Sequence, residues 1–339
     1  MTRRLILTLL LTAVLPAVGL ATPREREYRL HPKDVAASPS YVQRVEPAIV
    51  AVRVRSDPNA ASSARLGSRR FASGIIFDTR GYVVTVTYAL TDAVSIEVQM
   101  RDGRTVDGRL VGLDLESGLG VVKLAGDGPW PAARLGESRD VTSGMLTGTV
   151  GVDEDNDLVQ VTGSVHAVRR FSSFWEYMLD RAFIVSPSSP AWGGSAVVNA
   201  AGEVIGVASL RLGDPPHVNL AIPIEKFTPV KDELIAAGRV VSRRSRPWLG
   251  LYTAAIKGGG VVVDDFAPAG PARTAGFRKG DRIVSVNGVT VVSQEEFYEQ
   301  LWRGQAGDVV QVAVQRGGGV HVISVRSMDR YLLLRPLTP

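Results

Sequence analysis

Ser189-Pro190-Ala191-Trp192-Gly193-Gly194-Ser195-Ala196-Val197-Val198-Asn199 runs on through Ala200-Ala201-Gly202-Glu203 into Val204-Ile205-Gly206-Val207. The first half is a tight, glycine-bearing loop; the second is a β-hairpin with Asn199 to Glu203 as its turn. A loop of this kind can display a serine nucleophile against backbone amides, which stabilise a developing oxyanion. Whether this one does depends on what the rest of the chain supplies.

Outward from that loop the pattern is short strands separated by turns. Val45 to Val54 begins as a helical turn and becomes a strand, and Ser56 to Arg70 reads as a loop. Ala72 to Phe77, Asp78-Thr-Arg-Gly81 and Tyr82 to Val86 read as strand, turn, strand. Ser95 to Met100, the Asp102-Gly103 turn and Thr105 to Gly112 form a hairpin, and Leu119 to Leu124 is another strand. Turn signals every ~8–12 residues point to barrels or sandwiches rather than βαβ units. Glu225 to Ala237 has helical spacing, with Gly238 able to end it. Arg239 to Pro247 is a short basic linker.

A second unit begins at Trp248-Leu249-Gly250-Leu251. Val261 to Val263 is a strand, Ala272 to Ala275 a short helix, and Arg282 to Val286 a strand closed by an Asn287-Gly288 type I′ turn. Ser293-Gln-Glu-Glu296 is a capping box that starts a helix with Phe297, Leu301 and Trp302 facing inward. Val309 to Gln315 and Val320 to Val325 close the unit as two strands.

The chain has 339 residues, 45% hydrophobic and 22% charged, enough for two or three folded units. Its net charge of +5 comes from interspersed acids and bases. That excludes the concentrated basic face of a dedicated nucleic-acid binder. There is no cysteine, so disulfides, thiolate catalysis and cysteine-ligated metals are excluded. The histidines His31, His166, His217 and His321 form no metal-ligand spacing, and no cofactor motif is present. Thr2-Arg3-Arg4, the apolar run Leu5 to Leu15 and Gly19-Leu20-Ala21 have the three-part form of a cleaved export signal ending at residue 21. An uncleaved membrane anchor is the rival reading.

In order and spacing, the segments from about Tyr41 to Met328 resemble the HtrA/Deg family of trypsin-like serine proteases with one C-terminal PDZ domain. Ala72-Ser-Gly-Ile-Ile-Phe-Asp-Thr-Arg-Gly-Tyr-Val-Val-Thr85, Leu110-Val-Gly-Leu-Asp114, the hairpin Val197 to Gly206 and Leu220-Ala-Ile-Pro223 carry the protease resemblance. Lys279-Gly-Asp-Arg-Ile-Val-Ser-Val-Asn-Gly288 carries the PDZ resemblance. The resemblance implies a mainly β protein, a chymotrypsin-like double β-barrel followed by a small α+β PDZ domain. The expected division is signal peptide 1–21, arm 22–40, barrel domain 41–237, basic linker 238–247, PDZ domain 248–328 and tail 329–339.

The family's catalytic residues do not carry over. Its histidine follows the Gly-Tyr strand, where this chain has Thr85-Val86-Thr87-Tyr88-Ala89, so Tyr88 stands at the histidine position. Its aspartate precedes the next strand, where Ser117-Gly118-Leu119 places Gly118. Its Gly-Asn-Ser-Gly-Gly-Pro block aligns with Ala191 to Ala196, so Gly193 holds the serine's place. A triad needs a nucleophile, an imidazole near neutral pKa and an orienting carboxylate. Tyrosine, titrating near ~10, is no base at neutral pH, and glycine offers neither of the other groups. Ser195 is the alternative nucleophile, two positions downstream and without an adjacent base; its plain reading is a local hydrogen bond. Trp192 reads as a plug in the vacated site, Tyr88 as a packed aromatic and His217 as a solvated loop residue.

The PDZ pattern is intact. Resemblance places a carboxylate-binding loop at Trp248, Leu249, Gly250 and Leu251, with a groove between the following strand and the helix carrying Phe297 and Leu301. Such a groove accepts an extended chain by β-augmentation; the opposing reading is that it is self-occupied. The function implied is an exported pseudoprotease that binds unfolded polypeptides or protein C-termini as a scaffold or chaperone-like protein in envelope quality control. Alternatives are an active serine endopeptidase with an unconventional site and a regulatory subunit of active homologues. Family resemblance also implies a trimer, or a mixed oligomer with those homologues.

Overall fold

The computed structural model describes residues 29–30 and 32–334. The export-signal expectation and His31 lie outside them. The strands, in chain order, are β1 (Arg29–Leu30), β2 (Ile49–Ser56), β3 (Arg69–Asp78), β4 (Tyr82–Val86), β5 (Ala93–Gln99), β6 (Thr105–Asp114) and β7 (Leu119–Leu124). They continue as β8 (Leu146–Val152), β9 (Leu158–Ser173), β10 (Tyr177–Ser186), β11 (Ala196–Val198), β12 (Val204–Leu212) and β13 (Val218–Pro223). Strands β2 to β7 close a barrel in the order β2-β3-β4-β7-β6-β5. The second sheet runs β1-β9-β10-β13-β12-β11-β8, and a β8–β9 pairing closes it on itself. All these pairings are antiparallel.

The barrels form where β-branched residues alternate toward a shared interior. On β2 the residues Ile49 to Val52 are all fully buried, because one face fills the barrel and the other meets the second barrel. A single apolar cluster runs from Val42 through both barrels to Val240, and a smaller one built on Phe183, Val197 and Ile205 lies inside the second. The cleft between barrels is therefore set by a shared core.

The C-terminal unit has its own core. Its strands are β14 (Leu251–Ala255), β15 (Val261–Phe266), β16 (Arg282–Val286), β17 (Val289–Thr290), β18 (Val309–Arg316) and β19 (Gly319–Arg326). The sheet order is β14-β15-β16-β18-β19, with β17 on β16, so β14 is an edge. The Asn287-Gly288 turn has positive φ at both residues, as a type I′ turn requires. Ser293 caps the helix Gln294–Leu301 by accepting from the Glu296 amide, while Glu296 reaches back to the Val292 amide rather than that of Ser293.

Several local expectations are corrected. The helix expected over Glu225 to Ala237 is a 3₁₀ turn, Ile224–Lys226, then an α-helix, Lys231–Ala237. Pro229 lies between them and, lacking an amide hydrogen, makes no bond back to the Glu225 carbonyl, while the Lys231 amide still reaches the Phe227 carbonyl at 3.0 Å. Gly238 ends the helix in the left-handed region. The expected helix Ala272 to Ala275 is a 3₁₀ turn, Pro271–Arg273. The stretch Ser56 to Arg70 holds a helical turn, Ser63–Leu66, and gives its last two residues to β3. Trp302, expected inward, lies half-buried at the helix end; Tyr298 is the aromatic fully enclosed there.

The basic linker is docked. Arg243 binds Asp114 at 2.6 Å and Glu116 at 3.1 Å, and Arg246 binds Glu116 at 2.9 Å. The tail returns to the first barrel, where the Tyr331 hydroxyl donates to the Leu113 carbonyl at 3.0 Å and accepts from the Leu115 amide at 3.1 Å. Among the described residues no helix is long and apolar enough to cross a membrane.

Candidate functional site

The loop Ser189 to Ser195 is anchored along its length. The Ser189 amide donates to Asn219 Oδ1 at 2.6 Å, the Gly193 carbonyl accepts from the Ser73 amide at 2.7 Å, and the Gly194 amide donates to the Ala208 carbonyl at 2.8 Å. Gly194 has φ +82°, and a Cβ there would run into the Ser73 carbonyl. Only glycine serves at that point. The loop borders a cleft of about 490 Å³, lined by residues of both barrels that include Arg70, Phe71, Tyr88, Val152, Trp192 and Gly193.

Tyr88 and Gly193 meet across this cleft. A Cβ built on Gly193 would lie 2.8 Å from the Tyr88 hydroxyl. That hydroxyl donates to the Ser209 carbonyl at 2.9 Å, so the tyrosine has the partner expected of a packed aromatic. Its desolvation holds the phenol well above its usual range. Gly118 adjoins the same turn through its backbone: the Thr87 amide donates to the Gly118 carbonyl at 2.8 Å. Gly118 has φ +84°, and a Cβ there would come within 2.9 Å of the Tyr177 hydroxyl. The space beside Gly118 is thus already filled by an aromatic.

Ser195 is fully buried and donates its hydroxyl to the Ala191 carbonyl, with Ser73 Oγ 3.3 Å away. Its side chain lies behind the loop. Trp192 does not fill the site as a plug. It is half-buried on the cleft wall, its ring 6.3 Å from that of Tyr88 and tilted by 43°. The group lying against Gly193 is the Tyr88 hydroxyl. His166 and His321 are exposed on strands, His217 binds the carbonyl of its own loop residue Gly213 at 2.6 Å, and none of the three lines the cleft.

Arg70 is the cleft residue that pattern reading missed. It is 8% exposed, and its guanidinium donates to the carbonyls of Tyr88 at 2.9 Å, Thr91 at 2.8 Å and Gly67 at 2.9 Å. It therefore pins the helical turn that carries Tyr88. Burial lowers its pKa and the nearby Asp92 raises it, the first effect being larger. Arg70 ends a stretch whose composition reads as loop; its alternation with Ala72 on β3 is the signal available in sequence.

In the C-terminal unit, Leu249 and Leu251 are fully buried and Gly250 has φ +76°, with a Cβ there meeting Gly270 Cα at 2.5 Å. Phe297 and Leu301 are 0% and 1% exposed and belong to the core beneath the groove. Trp248 does not contribute its amide: its backbone pairs with Met328, both bonds at 3.1 Å. The groove between β14 and the helix Gln294–Leu301 is not vacant. The turn between β9 and β10, Phe174-Trp175-Glu176, enters it with Glu176 and the Phe174 carbonyl, while the Phe174 ring stays exposed and Trp175 packs on the barrel core. The Leu249 and Leu251 amides donate to the two carboxylate oxygens of Glu176 at 3.0 and 2.7 Å, and the Thr253 amide to the Phe174 carbonyl at 3.0 Å. From the helix, the Tyr298 hydroxyl donates to the Ser173 carbonyl at 2.6 Å and accepts from the Glu176 amide at 3.2 Å. Glu176 is 6% exposed. Burial pushes its carboxyl up to about 7, against the opposing pull of the loop amides and of Arg330.

The chain matches two family models: a trypsin-like peptidase domain over residues 72–207 and a PDZ domain over 225–326. It is 30% identical over 335 residues to the serine endoprotease DegS of Salmonella typhimurium, covering 92% of each chain. It is 29% identical over 277 residues to a probable periplasmic serine endoprotease, DegP-like, of Halomonas elongata, covering 77% of this chain and 57% of that one. Among solved structures it resembles the serine endoprotease from Yersinia pestis, with 26% identity, a TM-score of 0.54, and 85% and 96% of the two chains covered. The HtrA-type protease AlgW with decapeptide shares the fold at a TM-score of 0.55, with 23% identity and 87% and 98% of the chains covered. Two barrels sharing one core, the loop over the cleft and the appended unit with its glycine-bearing loop all agree with these matches, and the chain belongs to the HtrA/Deg family, with a trypsin-like peptidase domain and one PDZ domain.

Proposed function

We propose that this chain is a non-proteolytic member of its family, an exported binding or scaffold protein that engages unfolded polypeptides or protein C-termini in envelope quality control. The observation that carries this reading is the Tyr88 hydroxyl lying against Gly193, with a hydrogen bond to Ser209. At the place where a serine, histidine and aspartate would act together, Tyr88, Gly118 and Gly193 offer no nucleophile, no base and no carboxylate. The endopeptidase alternative through Ser195 is disfavoured by its burial behind the loop and its bond to the Ala191 carbonyl. In this reading the barrel domain spans 41–237, the docked basic segment 238–247, the PDZ domain 248–328 and the tail 329–339. Export is supported by the periplasmic relative and the three-part form of residues 1–21. Assembly is a homotrimer or a mixed oligomer with active homologues.

The test is direct. The purified mature chain, incubated with unfolded casein and a fluorophosphonate probe, gives neither cleavage nor labelling. Turnover or labelling that disappears in Ser195→Ala would overturn the proposal. Light scattering of the same sample, alone and mixed with an active relative, reports the assembly.

A further inference from the structure

Three alternate amides of the PDZ edge, at Leu249, Leu251 and Thr253, point outward with the period of a strand, and all three are taken by one turn of the barrel domain. The groove's other wall is engaged as well. Tyr298 holds the turn at the Ser173 carbonyl and the Glu176 amide, and Arg170 on β9 meets Glu299 at 2.6 Å. The apolar contacts follow the same line. Met178 on β10 packs against the PDZ core, and the Phe174 ring meets Tyr252 edge-on at 5.4 Å. Glu176 adopts φ +53°, a region that non-glycine residues seldom enter, so its side chain is presented by a turn held in an uncommon conformation.

The arrangement has the three parts of C-terminal peptide recognition: a carboxylate held by successive loop amides, main-chain pairing to an edge strand and an apolar anchor against the core. We infer that the turn Ser173 to Glu176 is an internal ligand of the PDZ groove, with the Glu176 side-chain carboxylate standing where the terminal carboxylate of a bound chain would lie. The partner that fits is a polypeptide ending in an apolar residue with a free carboxylate, and it binds only by displacing the turn. Peptide uptake is thereby coupled to release of the β9–β10 hairpin from the PDZ domain. This goes beyond the non-proteolytic reading and is independent of it, since it involves no group of the cleft.

Two measurements on the purified mature chain at pH 7.5 test the inference. Hydrogen exchange reads the Leu249, Leu251 and Thr253 amides in the wild type, in Glu176→Ala and in Tyr298→Phe. Anisotropy reads binding of a fluorescein-labelled hexapeptide, Gly-Ser-Ser-Phe-Trp-Met, with a free or an amidated C-terminus. The expected result is protection of the three amides in the wild type and exchange at least about tenfold faster in Glu176→Ala, with β18–β19 protection unchanged. The free-carboxylate peptide binds Glu176→Ala roughly tenfold or more tightly than wild type, because a larger fraction of the groove is open, and the amidated peptide does not. Tyr298→Phe moves both readouts the same way by a smaller factor, and decides the matter if Glu176→Ala loses β18–β19 protection. Wild-type amides that already exchange freely, or equal peptide affinity for wild type and both variants, would overturn the inference. Faster exchange in Glu176→Ala without peptide binding supports the internal ligand while removing the external-ligand part of the proposed function. Casein cleavage would remove the non-proteolytic reading and leave the internal ligand in place.

Discussion

In the cleft between the barrels, the Tyr88 hydroxyl lies against Gly193; in the groove of the PDZ domain, the Glu176 carboxylate takes the Leu249 and Leu251 amides. Both sites are filled from within the chain, but the fillings differ in kind. Tyr88 belongs to the cleft wall itself, its turn is pinned by Arg70, and its hydroxyl lies against Gly193 with a bond to the Ser209 carbonyl. Glu176 comes from another domain and satisfies donors that remain correctly placed. In the proposed reading the cleft has kept a shape without its chemistry, and the groove has kept its chemistry and lacks only a vacancy.

That contrast can be broken at four points. The largest effect is expected at the cleft loop. Gly194→Ala forces a Cβ into the Ser73 carbonyl at a positive φ, costing roughly 3 kcal/mol or more; a denaturant midpoint unchanged from wild type would show that the loop is not a fixed frame. Next is Gly193→Ser, which sets a Cβ 2.8 Å from the Tyr88 hydroxyl and is expected to cost about 1–3 kcal/mol without producing activity. In Tyr88→Phe the hydroxyl is gone, so the double variant should be more stable than the sum of the singles by about 0.5–2 kcal/mol. Additive values would mean the two residues do not compete for space.

The groove carries a buried carboxyl whose ionisation bears on docking. The Glu176 carboxyl, held at about 7 when docked and at 4.5 ordinarily, lies against the Leu249 and Leu251 amides, within the electrostatic reach of the Arg330 guanidinium and the Tyr298 phenol. Its docked pKa is raised, so docking is favoured by protonation. That stabilisation is complete below the ordinary value and is lost as pH rises through the docked one. The apparent affinity of the free-carboxylate hexapeptide should therefore rise severalfold to about tenfold per pH unit between pH 5 and 7 and level off above. In Glu176→Ala that slope should vanish; a slope that persists would assign the titration to another group. The smallest expected effect is at Phe174→Ala, which removes the edge-on contact with Tyr252 and its neighbour Arg65, a loss of about 0.5–1.5 kcal/mol of docking. It should show as a few-fold gain in hexapeptide affinity.

Much of this was legible without coordinates. The alternating strands, the Asn287-Gly288 turn and the Ser293 cap are local features whose residues dictate their own backbone. The resemblance to the family places Tyr88, Gly118 and Gly193 at the expected triad positions, because each follows or precedes a strand that the pattern identifies. What occupies the space beside Gly193 could not be placed, since Trp192 and Tyr88 are both bulky neighbours and only packing chooses between them. Pro229 is a helix breaker that apolar periodicity does not reveal, and Arg70 lies in a stretch whose polar composition reads as loop.

By itself, then, the sequence determined two units of short strands, because these rest on periodicity and turn chemistry, and its resemblance to the HtrA/Deg family implied the double barrel, the PDZ domain, the expected triad positions and the carboxylate-binding loop. Tertiary structure alone decided who fills the two sites. The Leu249 and Leu251 amides find Glu176 across 73 and 75 residues, and Arg243 finds Asp114 across 129. Contacts at such separations follow from how the domains pack, and an unpaired donor in the sequence carries no mark of which distant acceptor will reach it.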